Sequence, residues 1–311
     1  MSDTYSNSPQ LIVPLGTQIV LRVASGSHPA GSVAEIIGCP SDATHAYRLR
    51  FVDGMEASVV RSGFSLLKQV KRGPLGEGLD ASQEHDLHRY IIYRCVVGSQ
   101  AFGLSRESSD IDRRGIYLPP AELQWSLYGV PEQLEDDAAQ ECFWELQKFL
   151  SLALKANPNI LECLFTPLVE YTSPIADAIL ARREIFLSRL VYQTYNGYVL
   201  SQFKKLEQDL RATGTLKWKH AMHLIRLLLQ GISVLEQAHL PVRVEEHRAD
   251  LLAIRDGQRA WEDVNRWRLD LHRQFEDAFQ RTTLPEAPDY AEANRLLISA
   301  RRSMMEVAHD R

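Results

Sequence analysis

Val96-Val97-Gly98-Ser99-Gln100-Ala101-Phe102-Gly103-Leu104 is followed closely by Ser108-Ser109-Asp110-Ile111-Asp112-Arg113-Arg114-Gly115-Ile116. Ile91–Val97, which leads into the first run, is an apolar segment short enough to be a strand, and Asp110–Leu118 alternates like a second one. A strand that ends in Gly98-Ser99 and turns into a helix leaves backbone N–H groups pointing outward, and glycine lets a phosphate approach the main chain. The pair therefore reads as an anion cradle, to which the Ser99 hydroxyl adds a donor. Residues two apart on a strand share a face, so Asp110 and Asp112 are expected to present their carboxylates together. The same parity puts Arg114 beside them and Arg113 on the other side. Arg114 would either neutralise a triphosphate or brace the carboxylates.

Paired carboxylates with open positions suit magnesium, which keeps waters and takes further oxygens from substrate phosphates. Two such ions can clamp the attacking and departing oxygens of an in-line displacement. Singly, Gly98-Ser99 is an ordinary turn and Asp110-Ile111-Asp112 an ordinary solvated edge. Their order along the chain is what points to nucleotide chemistry.

Upstream, short β-rich runs fall at Gln18–Val23, Ser32–Ile37, Tyr47–Phe51, Met55–Val60 and Phe64–Leu67, with Asp53-Gly54 a hairpin signal. So many strands in so short a stretch suggest a small closed barrel, a binding module without an evident ligand. Lys71-Arg72-Gly73-Pro74-Leu75-Gly76-Glu77-Gly78 has no apolar periodicity and reads as a linker. After it Ala81–Tyr90 is helix-like.

Downstream, helical spacing of apolar residues marks Trp144–Ala156, Arg189–Leu210, Trp218–Gln237, Glu245–Arg255, Ala260–Thr282 and Tyr290–Met305. The expected fold class is thus α+β. Residues 1–70 would form the β-barrel, 80–170 a catalytic core, and 171–311 a helical half that binds substrate. On Trp218–Gln237, Lys219, His223, Arg226 and Gln230 recur at one-turn intervals and form a polar stripe on a mostly apolar helix. A nucleotide across the cleft would supply phosphates to Lys219 and Arg226; internal carboxylates would satisfy the stripe equally well, and His223 by itself suits a core position. Lys204, Lys205, Arg211 and Lys217 make the preceding region locally basic, either to track an acidic acceptor or as a solvated face.

The run Gly98-Ser99-x-Ala101-Phe102-Gly103 with Ser109-Asp110-x-Asp112-x-Arg114-Gly115 resembles the signature of nucleotidyltransferases of the DNA polymerase beta superfamily, specifically its RNA-repair-pathway polymerase-beta-like group. The likeness continues through Lys148-Phe149-Leu150, Leu152-Ala153-Leu154-Lys155, Asn157-Pro158-Asn159 with Glu162, and Lys217-Trp218-Lys219-His220-Ala221-Met222-His223-Leu224-Ile225-Arg226-Leu227-Leu228. It covers about 85 to 305 and leaves the N-terminal strands outside.

The resemblance implies a polymerase-beta-type sheet and transfer of a nucleoside monophosphate from a nucleoside triphosphate, ATP first among the candidates, with release of pyrophosphate. It implies Mg2+ or Mn2+ at Asp110, Asp112 and a third carboxylate from a neighbouring strand. Glu141, which precedes the helix, is the first candidate for that role and Glu145 the second; Glu145 would equally favour the helix N-terminus for its dipole. Gly98, Ser99, Arg114, Lys219, His223 and Arg226 would contact the nucleotide. The acceptor is left open among an RNA 3′ end, a protein side chain and a small molecule. The opposing reading is a non-catalytic nucleotide sensor or scaffold for RNA or protein. A kinase or phosphohydrolase is disfavoured, since no Gly-x4-Gly-Lys-Ser/Thr run and no His-Asp metal motif is apparent.

Bulk properties fit without deciding. The 311 residues carry 45% apolar and 24% charged side chains and a net charge of −5, the profile of a folding globular chain with no global basic footprint. Cys39, Cys95, Cys142 and Cys163 form no CxxC pair, so they are expected as isolated thiols rather than a zinc or redox site. The polar N-terminal stretch and the lack of a long apolar run lead to an expected cytoplasmic location with no membrane partner. Oligomeric state has no sequence signal.

Overall fold

Residues whose side chains alternate between buried and exposed build the first sheet. In the computed structural model, which describes residues 13–40, 45–67, 86–106 and 109–306, the chain divides into two compact units, Met1–Leu79 and Asp80–Arg311. The first contains β1 (Gln18–Leu21), β2 (Val33–Gly38), β3 (Tyr47–Phe51), β4 (Glu56–Val59) and β5 (Phe64–Leu66). They form an antiparallel sheet in the order β4-β3-β2-β1-β5, close to the strands expected from the sequence. All five supply side chains to one core, including Ile19, Ile36, Leu49, Val59 and Phe64.

The expected closed barrel is not found: among the described residues no ladder joins β4 to β5. These edge strands are short, of four and three residues, which limits the unpaired backbone they expose without closure. The Asp53-Gly54 turn does join β3 to β4, with the Gly54 N–H donating to the Phe51 carbonyl at 3.0 Å.

In the second unit a short apolar run makes an interior strand of the sheet. β6 (Ile91–Val97) is buried along almost its whole length, as a strand covered on both faces must be. Beside it lie β7 (Asp112–Tyr117), β8 (Gln133–Asp136), β9 (Glu141–Glu145) and β10 (Val169–Thr172), in the order β10-β6-β7-β9-β8. Among the described residues of this sheet, only the β7–β9 pairing is parallel. Gly115 is dictated by the ladder, because a Cβ there would collide with the carbonyl oxygen of Tyr93 on β6.

Helices follow as α1 (Gly98–Ala101), α2 (Ala121–Trp125), α3 (Leu146–Ala153), α4 (Pro158–Phe165), α5 (Pro174–Leu180), α6 (Leu190–Thr213), α7 (Trp218–Gln237), α8 (Arg248–Arg255), α9 (Trp261–Arg281) and α10 (Tyr290–Glu306). One large core joins β6 and β7 to α3, α4 and the long helices, through residues such as Tyr93, Ile116, Phe149 and Ile225. A smaller cluster of Leu87, Ile91, Tyr117, Leu134 and Phe143 covers the reverse face of the sheet. The architecture is mixed α and β, with the strands of this unit mostly preceding its long helices. No helix among the described residues is long and apolar enough to cross a membrane.

Three expectations shift at their edges. Residues 81–85 of the expected helix Ala81–Tyr90 lie outside the described residues, and Leu87–Tyr90 forms a single 3-10 turn. Trp144 and Glu145, expected at the start of a helix, end β9 instead, and α3 starts at Leu146. The same expected helix, Trp144–Ala156, stops short at Ala153, and Asn157-Pro158 starts α4, with the Asn157 side chain accepting from the Asn159 N–H at 3.0 Å and Pro158 at the first helical position.

Candidate active site

The β6–α1–β7 corner brings the cradle and an aspartate together. Gly98 follows β6 with φ +67°, a left-handed conformation that glycine adopts without strain. Asp112 opens β7 opposite Val97. A Cβ on Gly98 would collide with Asp112 Oδ2 and lie 3.3 Å from its Cγ. Glycine is therefore required here both for the turn and for the room the carboxylate occupies.

The corner is also braced from behind. Phe102 N–H donates back to Gly98 O at 3.0 Å, and Leu104 N–H to Ser99 O at 2.9 Å. Three consecutive carbonyls then accept from the helical half: Phe102 O from the Val244 N–H at 3.0 Å, Gly103 O from Arg248 Nε at 2.8 Å, and Leu104 O from Arg255. The loop's acceptors are thus consumed on the far side, while the first N–H groups of α1 lack intrahelical acceptors, as at any helix start.

Two cavities meet at this corner. A cleft of about 930 Å³ is lined by Gly98, Asp112, Arg114, His223 and Arg226, with Trp144, Asn159 and Glu162 on its walls. A pocket of about 170 Å³ is lined by Ser99, Arg106, Ser109, Lys219, His223 and Arg255. Phe102 and His223 line both and form the wall between them. Arg114 lies against Asp112: its Nη2 is 3.6 Å from Asp112 Oδ1, and Nη1 donates to the carbonyls of Arg113 and Gln140 at 2.8 and 2.9 Å.

With this corner in view, a family model described as RNA repair pathway DNA polymerase beta family matches residues 76–299. The chain belongs to that family. The match leaves the five-stranded N-terminal sheet outside it. A curated relative, the uncharacterized protein YcgL of Bacillus subtilis (strain 168), is 37% identical over 84 residues, which cover 26% of this chain and 32% of that protein. The match thus spans about a third of the relative's length.

Membership in the polymerase beta family frames the carboxylates, and here the geometry departs from the sequence expectation. Asp110 lies just before β7, exposed, and lines neither cavity. Strand alternation on β9 turns Cys142 and Trp144 to the cleft and Glu141 to the reverse face, where it lies 3.9 Å from Arg113 Nε. Arg113 pairs more closely with Glu170, at 2.9 Å. Glu145 is buried, caps α3 by accepting from the Gln147 N–H at 2.9 Å, and meets Arg301 Nη2 at 2.5 Å.

Neither glutamate shares the cleft with Asp112. The residue whose carbonyl accepts from the Arg113 N–H at the start of this pairing is Gln140, an uncharged amide. Acidic side chains that do line the cleft are Glu135, opposite Cys142 on β8, and Glu162 on α4. No group of three His, Cys, Asp or Glu side chains among the described residues is arranged to hold a metal ion. Magnesium does not demand one, since it is commonly held by one or two carboxylates plus substrate phosphates. The half-exposed Asp112 carboxylate at the cleft fits that kind of site.

The polar stripe of α7 divides. Lys219 is exposed and reaches the small pocket, with no ion-pair partner among the described residues. His223 stands edge-on to Phe102, ring centroids 5.9 Å apart. Burial first, and then Arg226, Lys219 and His220, push its pKa down to about 3, so its imidazole is neutral at physiological pH.

Arg226 is committed elsewhere than expected. It is buried, its Nη2 is 2.7 Å from Glu162 Oε1, and its guanidinium lies 3.6 Å from the Phe102 ring centroid. The contact with Glu162 is close but lacks hydrogen-bond geometry, and Arg226 Nε and Nη1 also find no hydrogen-bond partner. Gln230 is satisfied internally, accepting from the Tyr195 hydroxyl and donating to the Pro241 carbonyl. Arg226 and Gln230 are thus engaged internally, whereas Lys219 and His223 line the small pocket. Sequence spacing showed the stripe but gave no sign of Glu162 as the partner or of Phe102 as the shared wall.

Proposed function

We propose that the chain moves a nucleoside monophosphate from a nucleoside triphosphate to an acceptor hydroxyl, with pyrophosphate as the other product. The observation that carries this reading is the close approach of the Asp112 carboxylate to Gly98, at a corner where a large cleft meets a small cationic pocket. In this reading Ser99 and Lys219 take the β- and γ-phosphates in the small pocket, while the α-phosphate lies at Asp112. Neutral His223 separates the two without adding positive charge. Arg114 fixes Asp112, and the α8 side holds the loop still, so positioning and charge neutralisation supply most of the rate.

Asp112 would hold Mg2+ or Mn2+, which when bound offsets the negative charge of the phosphates and acidifies the attacking hydroxyl. Glu135 is the further acidic side chain we assign to this face. The family's association with RNA repair supports an RNA 3′ hydroxyl as the acceptor, and ATP is the first donor to examine.

A second reading, a nucleotide-binding protein without transfer activity, is favoured by one observation: the strand next to β7 turns no carboxylate toward the cleft. Incubation with each α-labelled nucleoside triphosphate, Mg2+ or Mn2+ and an RNA acceptor separates the two. Label on the acceptor and released pyrophosphate support transfer; tight nucleotide binding with neither product supports the second reading.

A further inference from the structure

Gly197 sits inside α6, a 24-residue helix, and lines the 930 Å³ cleft. Glycine in a helix interior weakens it, so its presence calls for a reason. Neither usual reason applies. Its backbone is regular helix, and a Cβ built there meets no atom within 4 Å. No close-packed neighbour of the chain requires the missing side chain; the space it leaves opens into the cleft.

The residues around that space form one helical face. Thr194, Gly197, Tyr198, Ser201 and Gln202 follow the spacing of a single stripe and all line the same cleft. Thr194 and Ser201 spend their hydroxyl protons on the backbone, donating to Lys155 O at 3.0 Å and Tyr198 O at 2.9 Å. The Tyr198 hydroxyl and the side-chain amides of Gln202 and Asn159, across the cleft on α4, have no partner among the described residues. Tyr198 is 48% exposed. A bare patch of backbone, an exposed aromatic ring and two free amides, each offering both a donor and an acceptor, make a site for a flat heterocycle with polar edges.

We infer that this face of α6 is the nucleobase subsite. It rests on the transferase reading above and names where the base of the donor nucleotide lies: flat over Gly197, against the Tyr198 ring, with Gln202 and Asn159 at its edge. Stacking tolerates any base, so discrimination among bases falls to the two amides.

Calorimetric titration in Mg2+ with each of the four nucleoside triphosphates, and with inorganic tripolyphosphate as a base-free probe, tests this on the full chain. The native protein should bind its preferred nucleotide at least tenfold tighter than tripolyphosphate. Gly197→Leu, which fills the space, and Tyr198→Ala, which removes the ring, should each weaken nucleotide binding by about tenfold or more while leaving tripolyphosphate within about twofold. Gly197→Ala should raise the melting temperature, which confirms that the helix itself has no need of glycine. Equal binding of nucleotide and tripolyphosphate by the native protein overturns the subsite, as does an equal loss of both probes or of neither in the two variants. If labelled transfer is nevertheless observed and depends on Asp112, the transferase reading survives that failure.

Discussion

The carboxylate of Asp112 occupies the space that any side chain on Gly98 would need. The two residues are fourteen apart in sequence, and the β6–β7 pairing of Val97 with Asp112 brings them together. The Gly-Ser turn and the acidic strand are therefore one device rather than two neighbouring motifs. Gly98→Ala forces a side chain into a left-handed position and displaces the carboxylate. We predict a stability loss of about 1 kcal/mol or more from the backbone strain, with transfer activity reduced well beyond what that loss explains. Thermal melts and transfer rates on the same preparation check it.

The Arg226–Glu162 pair is the buried ionic contact that holds the wall between the cavities, since Arg226 also stacks on Phe102. Removing one partner leaves the other charge buried alone, so Arg226→Met or Glu162→Leu should each cost about 3–5 kcal/mol in urea unfolding. The double substitution should recover much of that. A cost that is simply additive in the double variant would mean that the two side chains do not act as a pair.

Stability should fall with acid because of His223. Its folded pKa, about 3, lies below the ordinary histidine value, so between those limits the unfolded chain binds a proton that the folded chain refuses. Stability from this residue is fully present above about pH 6.5 and declines as pH drops toward 3. Melting temperature measured across this range should fall less steeply in His223→Gln than in the native protein. Identical slopes would show that the imidazole is not held neutral.

The acidic residues offer a direct comparison. Glu135 lines the cleft and Glu141 faces the reverse side of the sheet. Glu135→Gln should lower transfer by about tenfold, an effect of one charged hydrogen-bonding group, whereas Glu141→Gln should leave it within about twofold. The opposite ranking in a transfer assay would place the third carboxylate back on β9.

Much of this corner was readable in advance because it is local. β6 runs over Ile91–Val97 as its apolar pattern predicts, and the turn at Gly98-Ser99 follows directly from it. The five N-terminal strands were legible from alternation and turn residues, but their closure depends on edge pairing, which alternation does not encode. β8 and β10 escaped because they are short and mostly exposed, with little apolar signal. At Trp144-Glu145 the apolar spacing of α3 runs on backwards into β9, so a helix was expected where a strand ends; only the capping of Gln147 N–H by Glu145 marks the junction.

That single boundary decided the carboxylates, because strand parity rather than helical spacing sends Glu141 and Glu145 away from the cleft. Likewise, Arg226 finds Glu162 across 64 positions of sequence, a pairing that no local pattern announces. Gly197 gave no signal either, since a lone glycine in a helical run reads as a small propensity penalty until the space beside it is seen.

The most direct test of the central claim is labelled nucleotidyl transfer by Asp112→Asn, which keeps the size of the side chain beside Gly98 and removes its charge. The account predicts a protein that melts close to the native temperature and transfers no detectable label, with no pyrophosphate above background. Transfer at the native rate by that folded variant would contradict it.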